Sequence, residues 1–336
     1  MRILVTGGAG YVGSVSVEAL VAAGHEVTVL DDLSTGHRAA VVEGATLEVG
    51  TYGDSEAVAQ LLERRQIDAV LHCAAKSLVG ESMVDPAKYF RENVGGGISL
   101  PEGMRLAEVK RIVLSSTAAI YGMPERTPIL ETDPVRPINA YGESKRCVEA
   151  AIAWYGHGYG LRSVILRYFN VAGASKLFGE QHEPETHLIP VVLNAAEKSS
   201  EMTIYGGDYV TPDGTCVRDY IHVEDLAAAH LLALVATDAG DSRTGPASGS
   251  CQPVICNLGN GTGFSNREIV TAAEAVVGHA IPVKMGPRRA GDPPILVASA
   301  ERAGRVLGWQ PQHGKLEEII GTAWEWRRAH PAGYAD

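Results

Sequence analysis

An α/β fold, with a doubly wound parallel sheet first and a smaller α+β unit after it, is what this sequence predicts. Three observations carry that prediction. Short β-branched runs alternate with helical patterns through the first half, unusual residues gather just past the strand ends, and the second half changes character. Strands are expected at 2–6, 26–31, 68–74, 111–116 and 163–169, with intervening segments long enough for crossover helices. From residue 173 onward proline, glycine and acidic loops become frequent, as in 178–190 and 208–215, and strands become sparse. The expected division is therefore 1–172 and 173–336, with some later segments free to return to the first sheet. Residues 237–253, small, polar and rich in Gly and Pro, are expected to be a solvated loop.

The first strand runs into Gly7-Gly8-Ala9-Gly10-Tyr11-Val12-Gly13, which opens a helix expected over 12–23. Glycines at 7, 10 and 13 permit a sharp turn, a close approach to a pyrophosphate, and tight packing of helix on strand. The helix N-terminus offers unpaired N–H groups and a positive dipole end to phosphate. Asp31 closes the second strand, eighteen residues after Gly13. Its carboxylate can accept from both hydroxyls of a ribose and would repel an added 2′-phosphate, so NAD is expected over NADP. The first domain thus reads as a Rossmann-like NAD-binding unit. Asp54 can reach an adenine or stand as an exposed loop aspartate, and the sequence leaves both open.

One segment opposes its expected structure. Gly95-Gly96-Gly97 and Pro101 fall where a crossover helix should begin. Each glycine costs ~1 kcal/mol relative to alanine and an interior proline about 3 kcal/mol. The helix is expected to start late, with Pro101 in its first turn, or to kink there.

In Tyr141-Gly142-Glu143-Ser144-Lys145, Tyr141 and Lys145 share a helix face at i and i+4. A free tyrosine, pKa about 10, is a poor base at neutral pH. A neighbouring ammonium and a positive nicotinamide are expected to bring Tyr141 toward the working range, while Lys145 also holds the nicotinamide ribose. Thr117, just past the strand 111–116, is placed to bond the substrate oxygen that Tyr141 protonates and deprotonates.

Composition sets the outer limits. The chain has 336 residues, 45% hydrophobic and 21% charged, an ordinary globular balance. A net charge of −11 argues against a general nucleic-acid or anionic-membrane binder. No apolar run approaches the ~20 residues that span a bilayer. The five cysteines (Cys73, Cys147, Cys216, Cys251, Cys256) form no CxxC pair and read as reduced thiols. The chain opens on an apolar strand and shows no signal-peptide pattern, so a cytoplasmic protein is expected. His222 and His230 read as structural, their spacing suits no metal site, and no metal is expected.

With these residues in view, the chain resembles the extended short-chain dehydrogenase/reductase family, most of all its UDP-glucose 4-epimerase branch. The resemblance runs nearly end to end, through TGGAGYVGS (6–14), DDLSTGH (31–37), VGES (79–82), SSTAAIYG (115–122), YGESK (141–145) and RYFNVAGA (167–174). It continues through THLIP (186–190), TPDGTCVRDYIHVEDLA (211–227), NLGNGTGFS (257–265), PRRAGDP (287–293) and HPAGY (330–334). The resemblance implies an isomerase in which Tyr141, aided by Thr117 and tuned by Lys145, removes the proton of a sugar 4-hydroxyl while hydride passes to NAD. The 4-keto sugar turns about its pyrophosphate and takes the hydride back on its other face. It places the cofactor on Gly7, Gly10, Tyr11, Val12, Gly13, Asp31, Asp32, Leu33, Ser34, Thr35, Gly36, Ala74, Ala75, Asn93, Ser115 and Tyr168, besides Tyr141 and Lys145. It places a UDP-hexose on Asn170, His187, Leu188, Tyr205, Arg218, Arg289, Asp292 and Leu296, besides Thr117 and Tyr141. Two arginines facing a diphosphate and an aromatic ring facing uracil are chemically apt.

Departures from the family pattern matter too. Gly95 stands where a second asparagine is usual and, with Pro101, disturbs a helix that in the family helps to pair two subunits, although a homodimer is still expected. Asp32 replaces an asparagine and adds negative charge beside the ribose, which is expected to weaken NAD binding slightly. Leu296 sits at the position that gates the sugar's 2-substituent, so N-acetylhexosamine nucleotides such as UDP-N-acetylglucosamine stay open as substrates, and UDP-glucuronate stays open because the chemistry at C4 is the same. A 4,6-dehydratase needs an Asp-Glu pair after the threonine, where this chain has Ala118 and Ala119. An inactive NAD-sensing regulator should have lost part of the Thr, Tyr and Lys set, and all three are present.

Overall fold

In the computed structural model, seven parallel strands form one sheet in the order β3-β2-β1-β4-β5-β6-β10. The strands are β1 (Arg2–Thr6), β2 (Glu26–Asp31), β3 (Ala45–Val49), β4 (Ala69–His72), β5 (Arg111–Thr117), β6 (Arg162–Tyr168) and β10 (Val254–Leu258). The structure describes residues 1–238, 240, 241, 243, 251–289 and 292–335. Most of the expected solvated loop over 237–253 therefore lies outside the described residues.

Helices α1 (Tyr11–Ala22), α2 (Ser55–Arg64), α3 (Val79–Val84), α4 (Pro86–Tyr89), α5 (Gly96–Leu106) and α6 (Ala140–Tyr159) belong to the first half. The second half contributes α7 (Leu188–Lys198), α8 (Val223–Ala236), α9 (Asn266–Val277), α10 (Glu301–Leu307) and α11 (Leu316–Ala329). Its remaining strands are short: β7 (Asn170–Ala172), β8 (Met202–Tyr205), β9 (Val217–His222), β11 (Gly263–Ser265), β12 (Val283–Gly286) and β13 (Ile295–Leu296). Around β9 they make a small mixed sheet, with β7 and β13 parallel to it and β11 antiparallel.

Two core layers enclose the large sheet. One packs α1 and α8 against Ile3, Val5, Val29, Leu71, Val113 and Val164, and the other packs α2, α5 and α6 against Leu4, Val70, Ile112 and Ile165. Both faces are thus covered, which is why these strands read as unbroken apolar runs. A separate core beneath the small sheet joins α7, α9 and α11 through Ile189, Leu193, Ile269 and Ile320. The strand order reverses direction between β1 and β4, and the crevice beyond their carboxyl ends is where this architecture receives a ligand.

Two strands lay outside the expected set. The run at 45–49 is half-exposed and alternates weakly, and 254–258 follows a long polar segment, yet they form the two edges of the large sheet. With β10 and α8, later chain does return to the first sheet.

The segment at 86–106 corrects the expected late start. Helix α4 passes through a π turn at Phe90–Gly95 straight into α5, and Pro101 sits inside α5, not in its first turn. The wider π turn changes the helix register ahead of the proline. Packing, not propensity, selects Gly96, Gly97 and Gly103, but not Gly95. A Cβ on Gly103 would lie 2.7 Å from Val58 Cγ1 and 2.8 Å from the Ser55 carbonyl, so its absence lets α5 lie directly on α2.

That geometry separates two substitutions that helix propensity treats alike. Gly103→Ala is expected to destabilise by about 1–3 kcal/mol through overpacking. Gly95→Ala, whose Cβ meets nothing within 4 Å at φ −56°, is expected to stabilise by about 0.4–1 kcal/mol. Urea unfolding of both variants checks the sign of each.

Candidate active site

The crevice is built by the chain leaving β1. Gly7 turns at φ +71°, its N–H donating to the Leu30 carbonyl at 2.9 Å, and a Cβ there would strike the Ala74 backbone at 2.6 Å. A Cβ on Gly13 would stand 2.0 Å from the Gly7 carbonyl oxygen. Only glycine fits at either position, so α1 starts hard against the end of the strand. Gly10 caps α1 without a side chain, which leaves the amides of Tyr11, Val12 and Gly13 uncapped at the crevice. The Tyr11 hydroxyl donates to the Gly173 carbonyl at 2.7 Å and ties this loop to the second half of the chain.

Asp31 is buried at the end of β2. Its Oδ2 accepts from Ala9 N at 3.0 Å and its Oδ1 from Leu33 N at 2.9 Å. Burial pushes its carboxyl up, and those two amides pull it part of the way back. The carboxylate is thereby aimed across the glycine loop with lone pairs to spare for ribose hydroxyls. Asp32 is exposed, and Ser34, Thr35 and Gly36 follow it in the same loop. Burial opposes its charge, but its bonds to Ser34 and the nearby Lys76 hold the Asp32 carboxyl below its usual range. Lys76 Nζ donates to Ser34 Oγ at 2.7 Å, so the extra negative charge expected to disturb the ribose is offset on the spot. Lys76 escaped the sequence reading, because only the pairing of β4 with β1 brings it opposite residue 34.

Other expected cofactor residues have work within the protein. Asp54 is the N-cap of α2, its Oδ1 accepting from Ala57 N at 3.0 Å, and it lies exposed. Ala74 and Ala75 line the turn after β4 beside Gly7. Asn93 is buried and clamps this turn, its Oδ1 accepting from Lys76 N at 2.8 Å and its amide donating to the Lys76 carbonyl and to Ser144 Oγ. Ser115 bonds His230 Nε2 at 2.9 Å, and His230 Nδ1 meets Ser16 Oγ at 3.0 Å, joining α1, β5 and α8. His230 and His222 are wholly buried, and burial pulls them down to about 3 and about 4 respectively.

Thr117 ends β5, and Tyr141 and Lys145 lie in the first turns of α6. Asn139 caps that helix by accepting from Gly142 N at 2.7 Å. A Cβ on Gly142 would lie 2.6 Å from the Ala119 carbonyl, so the helix start and the Thr117 turn touch. Thr117 Oγ1 accepts from Ala119 N at 3.1 Å, and its hydroxyl lies close enough to Tyr141 to favour the phenolate. All three side chains are buried, and Tyr168 beside them is also within the site's electrostatic reach. Burial pushes the Tyr141 phenol up, and Thr117 recovers part of that shift. Burial likewise pulls the Lys145 ammonium down to about 8, against Cys73 and Glu149. Burial thus opposes the phenolate that Lys145 and a positive nicotinamide together are expected to favour.

Glu149, one further turn along the same helix stripe, locks the arrangement. Its carboxylate takes Arg167 Nε at 3.0 Å, Arg167 Nη2 at 2.6 Å and Ser116 Oγ at 2.6 Å, with only 6% and 7% of the two charged side chains exposed. Arg167 also donates to the Tyr121 hydroxyl, which donates in turn to Asn257 on β10. The sequence reading missed this pair, since nothing local marks residues 149 and 167 as neighbours.

On the far side of the crevice the structure brings the expected substrate residues together in pairs. Arg218 on β9 binds Asp292, and Arg289 lies 4.3 Å above the Tyr205 ring. Leu296 is the register partner of Arg218 and packs on the cluster that holds Ala118 and Ile120. Asn170 opens β7 in an exposed position, and His187 and Leu188 stand at the start of α7. Among the described residues no helix is long and apolar enough to cross a membrane.

Known proteins share this arrangement. The NAD dependent epimerase/dehydratase family matches residues 3–245. UDP-glucose 4-epimerases of Lacticaseibacillus casei and Streptomyces lividans are 50% and 51% identical, each over 100% of this chain and 99% and 98% of their own lengths. Among solved structures, the Brucella ovis UDP-glucose 4-epimerase in complex with NAD superposes with a TM-score of 0.90 at 43% identity, covering 97% of this chain and 98% of that one. The Bifidobacterium longum enzyme in complex with NAD+ and UDP does so with a TM-score of 0.90 at 32% identity, over 99% of this chain and 100% of that one.

The buried pair yields a stability test. Glu149→Leu leaves Arg167 uncompensated and is expected to cost about 3–5 kcal/mol in chemical denaturation. Removing both charges, as Glu149→Leu with Arg167→Met, is expected to restore much of that loss. Equal losses in the single and double variants would refute the account.

Proposed function

This chain belongs to the NAD dependent epimerase/dehydratase family, and we propose that it interconverts UDP-glucose and UDP-galactose by reversible oxidation at the sugar's C4. The observation that carries the reading is Thr117 beside Tyr141, with Lys145 one turn on, at the mouth of a dinucleotide crevice.

The cofactor is NAD, and the crevice suits it. Gly7 and Gly13 let α1 start against the end of β1, α1 presents uncapped amides to a pyrophosphate, and Asp31 presents a buried carboxylate to the ribose. Bound there, NAD supplies reversible hydride acceptance at sugar C4. Tyr141 takes the proton of the 4-hydroxyl as that bond is oxidised and returns it when the sugar is reduced. Thr117 holds the same oxygen in line, and Lys145 anchors the nicotinamide ribose beside Tyr141. The 4-keto sugar is free to turn because recognition is concentrated on UDP. Arg218 and Arg289 meet the diphosphate, with Tyr205 against uracil, Asp292 with Asn170 on polar edges, and His187 with Leu188 at the start of α7. The two starting pairs, Arg218–Asp292 and Arg289–Tyr205, keep the guanidinium groups at the crevice before substrate arrives.

Labour is divided along the fold. Residues 1–172, with α8 and β10, serve NAD, and most of 173–336 serves the UDP-sugar. The enzyme is assigned to the cytoplasm, in keeping with five free cysteines. It is assigned as a homodimer through the outer faces of α5 and α6, where Ile98, Leu106 and Trp154 are 44%, 44% and 71% exposed.

Two measurements test these assignments. Purified enzyme given UDP-galactose without added NAD should form UDP-glucose, and Tyr141→Phe should slow this by at least about 100-fold while keeping its nucleotide. No turnover of UDP-galactose, UDP-N-acetylgalactosamine or UDP-galacturonate, even with NAD supplied, would sink the reading. Light scattering should give a dimer that Trp154→Glu dissociates, and a monomeric parent protein would exclude that assembly.

A further inference from the structure

We infer that Glu180, His182, Glu185 and His187 form a binding site for a divalent transition-metal ion, zinc being the best fit, in the loop that leads into α7. The site is separate from the Thr117–Tyr141–Lys145 set, and the one residue it shares with the proposed UDP-sugar pocket is His187.

The four side chains fall within eight residues in the order Glu-x-His-x-x-Glu-x-His. One ligating atom from each lies within 4.8 Å of all the others. His182 Nδ1 stands 3.3 Å from Glu180 Oε1 and 3.5 Å from Glu185 Oε2, and His187 Nδ1 meets the same Glu180 oxygen. A tetrahedral zinc ion with bonds of ~2.0–2.1 Å holds its ligand atoms about 3.3 Å apart. Two contacts already match that spacing, the His187–Glu180 contact has to open, and the remaining pairs, all within 4.8 Å, have to settle to it. Two imidazoles and two carboxylates form a donor set suited to zinc, and the carboxylates balance the charge of a dication.

The surroundings support the same reading. Only 4% of the Glu180 side chain is exposed, and its charge is balanced by His182 and His187, whose ring protons a bound dication would displace. Glu185 is oriented from behind, its Oε1 accepting from Thr186 N at 2.7 Å and His187 N at 2.8 Å while Oε2 faces the cluster. Backbone donors of this kind fix a ligating carboxylate. An ion can enter through a cavity of about 250 Å³ that Glu180, His182 and Glu185 line together with Trp326 and His330.

A second group, His222, Glu224 and His313, does not qualify. His222 Nδ1 already accepts from Glu224 N at 3.1 Å and its Nε2 bonds Thr322 Oγ1 at 2.9 Å, so no ring nitrogen is left for an ion. In the first group both Nδ1 atoms are directed only at carboxylates of the cluster itself.

The position gives the ion a structural role. His187 is the N-cap residue of α7 and makes no side-chain cap bond, and the His182 ring lies edge-on 6.4 Å from Tyr11 of the glycine loop. An ion here ties the loop at 178–187 to the start of α7 and braces Tyr11.

The test uses the holoenzyme, stripped with a chelator, dialysed, and titrated with Zn2+ and with Co2+. Calorimetry and metal content after desalting should give roughly one ion per chain, Co2+ should develop the visible bands of a four-coordinate site, and Zn2+ should raise Tm. His182→Ala is expected to lower Zn2+ affinity by more than about 100-fold, since even outer partners of a metal ligand are worth 10–100-fold. Glu180→Gln should give a second loss, and His313→Ala should leave affinity unchanged. Bound NAD and circular dichroism report whether each variant is folded. Failure of the folded parent enzyme to retain an ion, or binding that survives His182→Ala or disappears with His313→Ala, would overturn the assignment. Turnover of UDP-galactose is measured separately, so loss of this site and loss of the proposed reaction are distinguishable.

Discussion

The buried ion pair between Glu149 and Arg167 is the constraint from which the rest of the site follows. Tyr141, Lys145 and Glu149 occupy one stripe of α6, four residues apart, so fixing any one of them about the helix axis fixes the others. Glu149 is fixed on both oxygens, by Arg167 from β6 and by Ser116 from β5. The same strand that supplies Ser116 ends one residue later in Thr117. The distance from Thr117 to Tyr141 is therefore set by a bidentate bond two turns away, not by the reacting groups. A buried pair of this kind adds little net stability over an apolar replacement. What it supplies here is a single orientation for α6.

Much of the fold could be read from the sequence where burial is two-sided. Strands β1, β2, β4, β5 and β6 are continuous apolar runs because helices cover both faces, and such runs stand out without any partner being known. The edge strands β3 and β10 escaped because their signal is weaker: one is half-exposed, and the other follows polar chain. The segment 86–106 misled for a different reason. Helix propensity counts each glycine against the helix, yet the free energy of Gly103 is decided by how closely α5 lies on α2, which is a tertiary quantity.

The site divides along the same line. The glycine loop, Asp31 and the Tyr141–Lys145 spacing were legible because each is a local pattern with a chemical reason for its interval. Lys76, Glu149 and Arg167 were not, since each acts on a residue that only sheet order brings near. The metal-binding loop shows the intermediate case. Its four ligands lie within eight residues, but the spacing matches no familiar ligand pattern, and loop 178–190 read simply as acidic and proline-rich.

Electrostatics then connect the cofactor crevice to the chemistry. Burial drives the Tyr141 phenol up and the Lys145 ammonium down to about 8, so the protein's own environment favours the neutral form of each. That tendency would defeat a general base if nothing opposed it. In a site this dry, however, a nearby charge is worth far more than in water. In the proposed reaction an oxidised nicotinamide held in the crevice would supply the missing term, since a positive charge beside Tyr141 favours the phenolate. Base strength would thereby be tied to occupancy of the crevice by the oxidised cofactor. The glycine loop and Tyr141 lie far apart in sequence, yet in the proposed reaction they act as one device: the loop that would hold the dinucleotide would also set when the tyrosine can accept a proton.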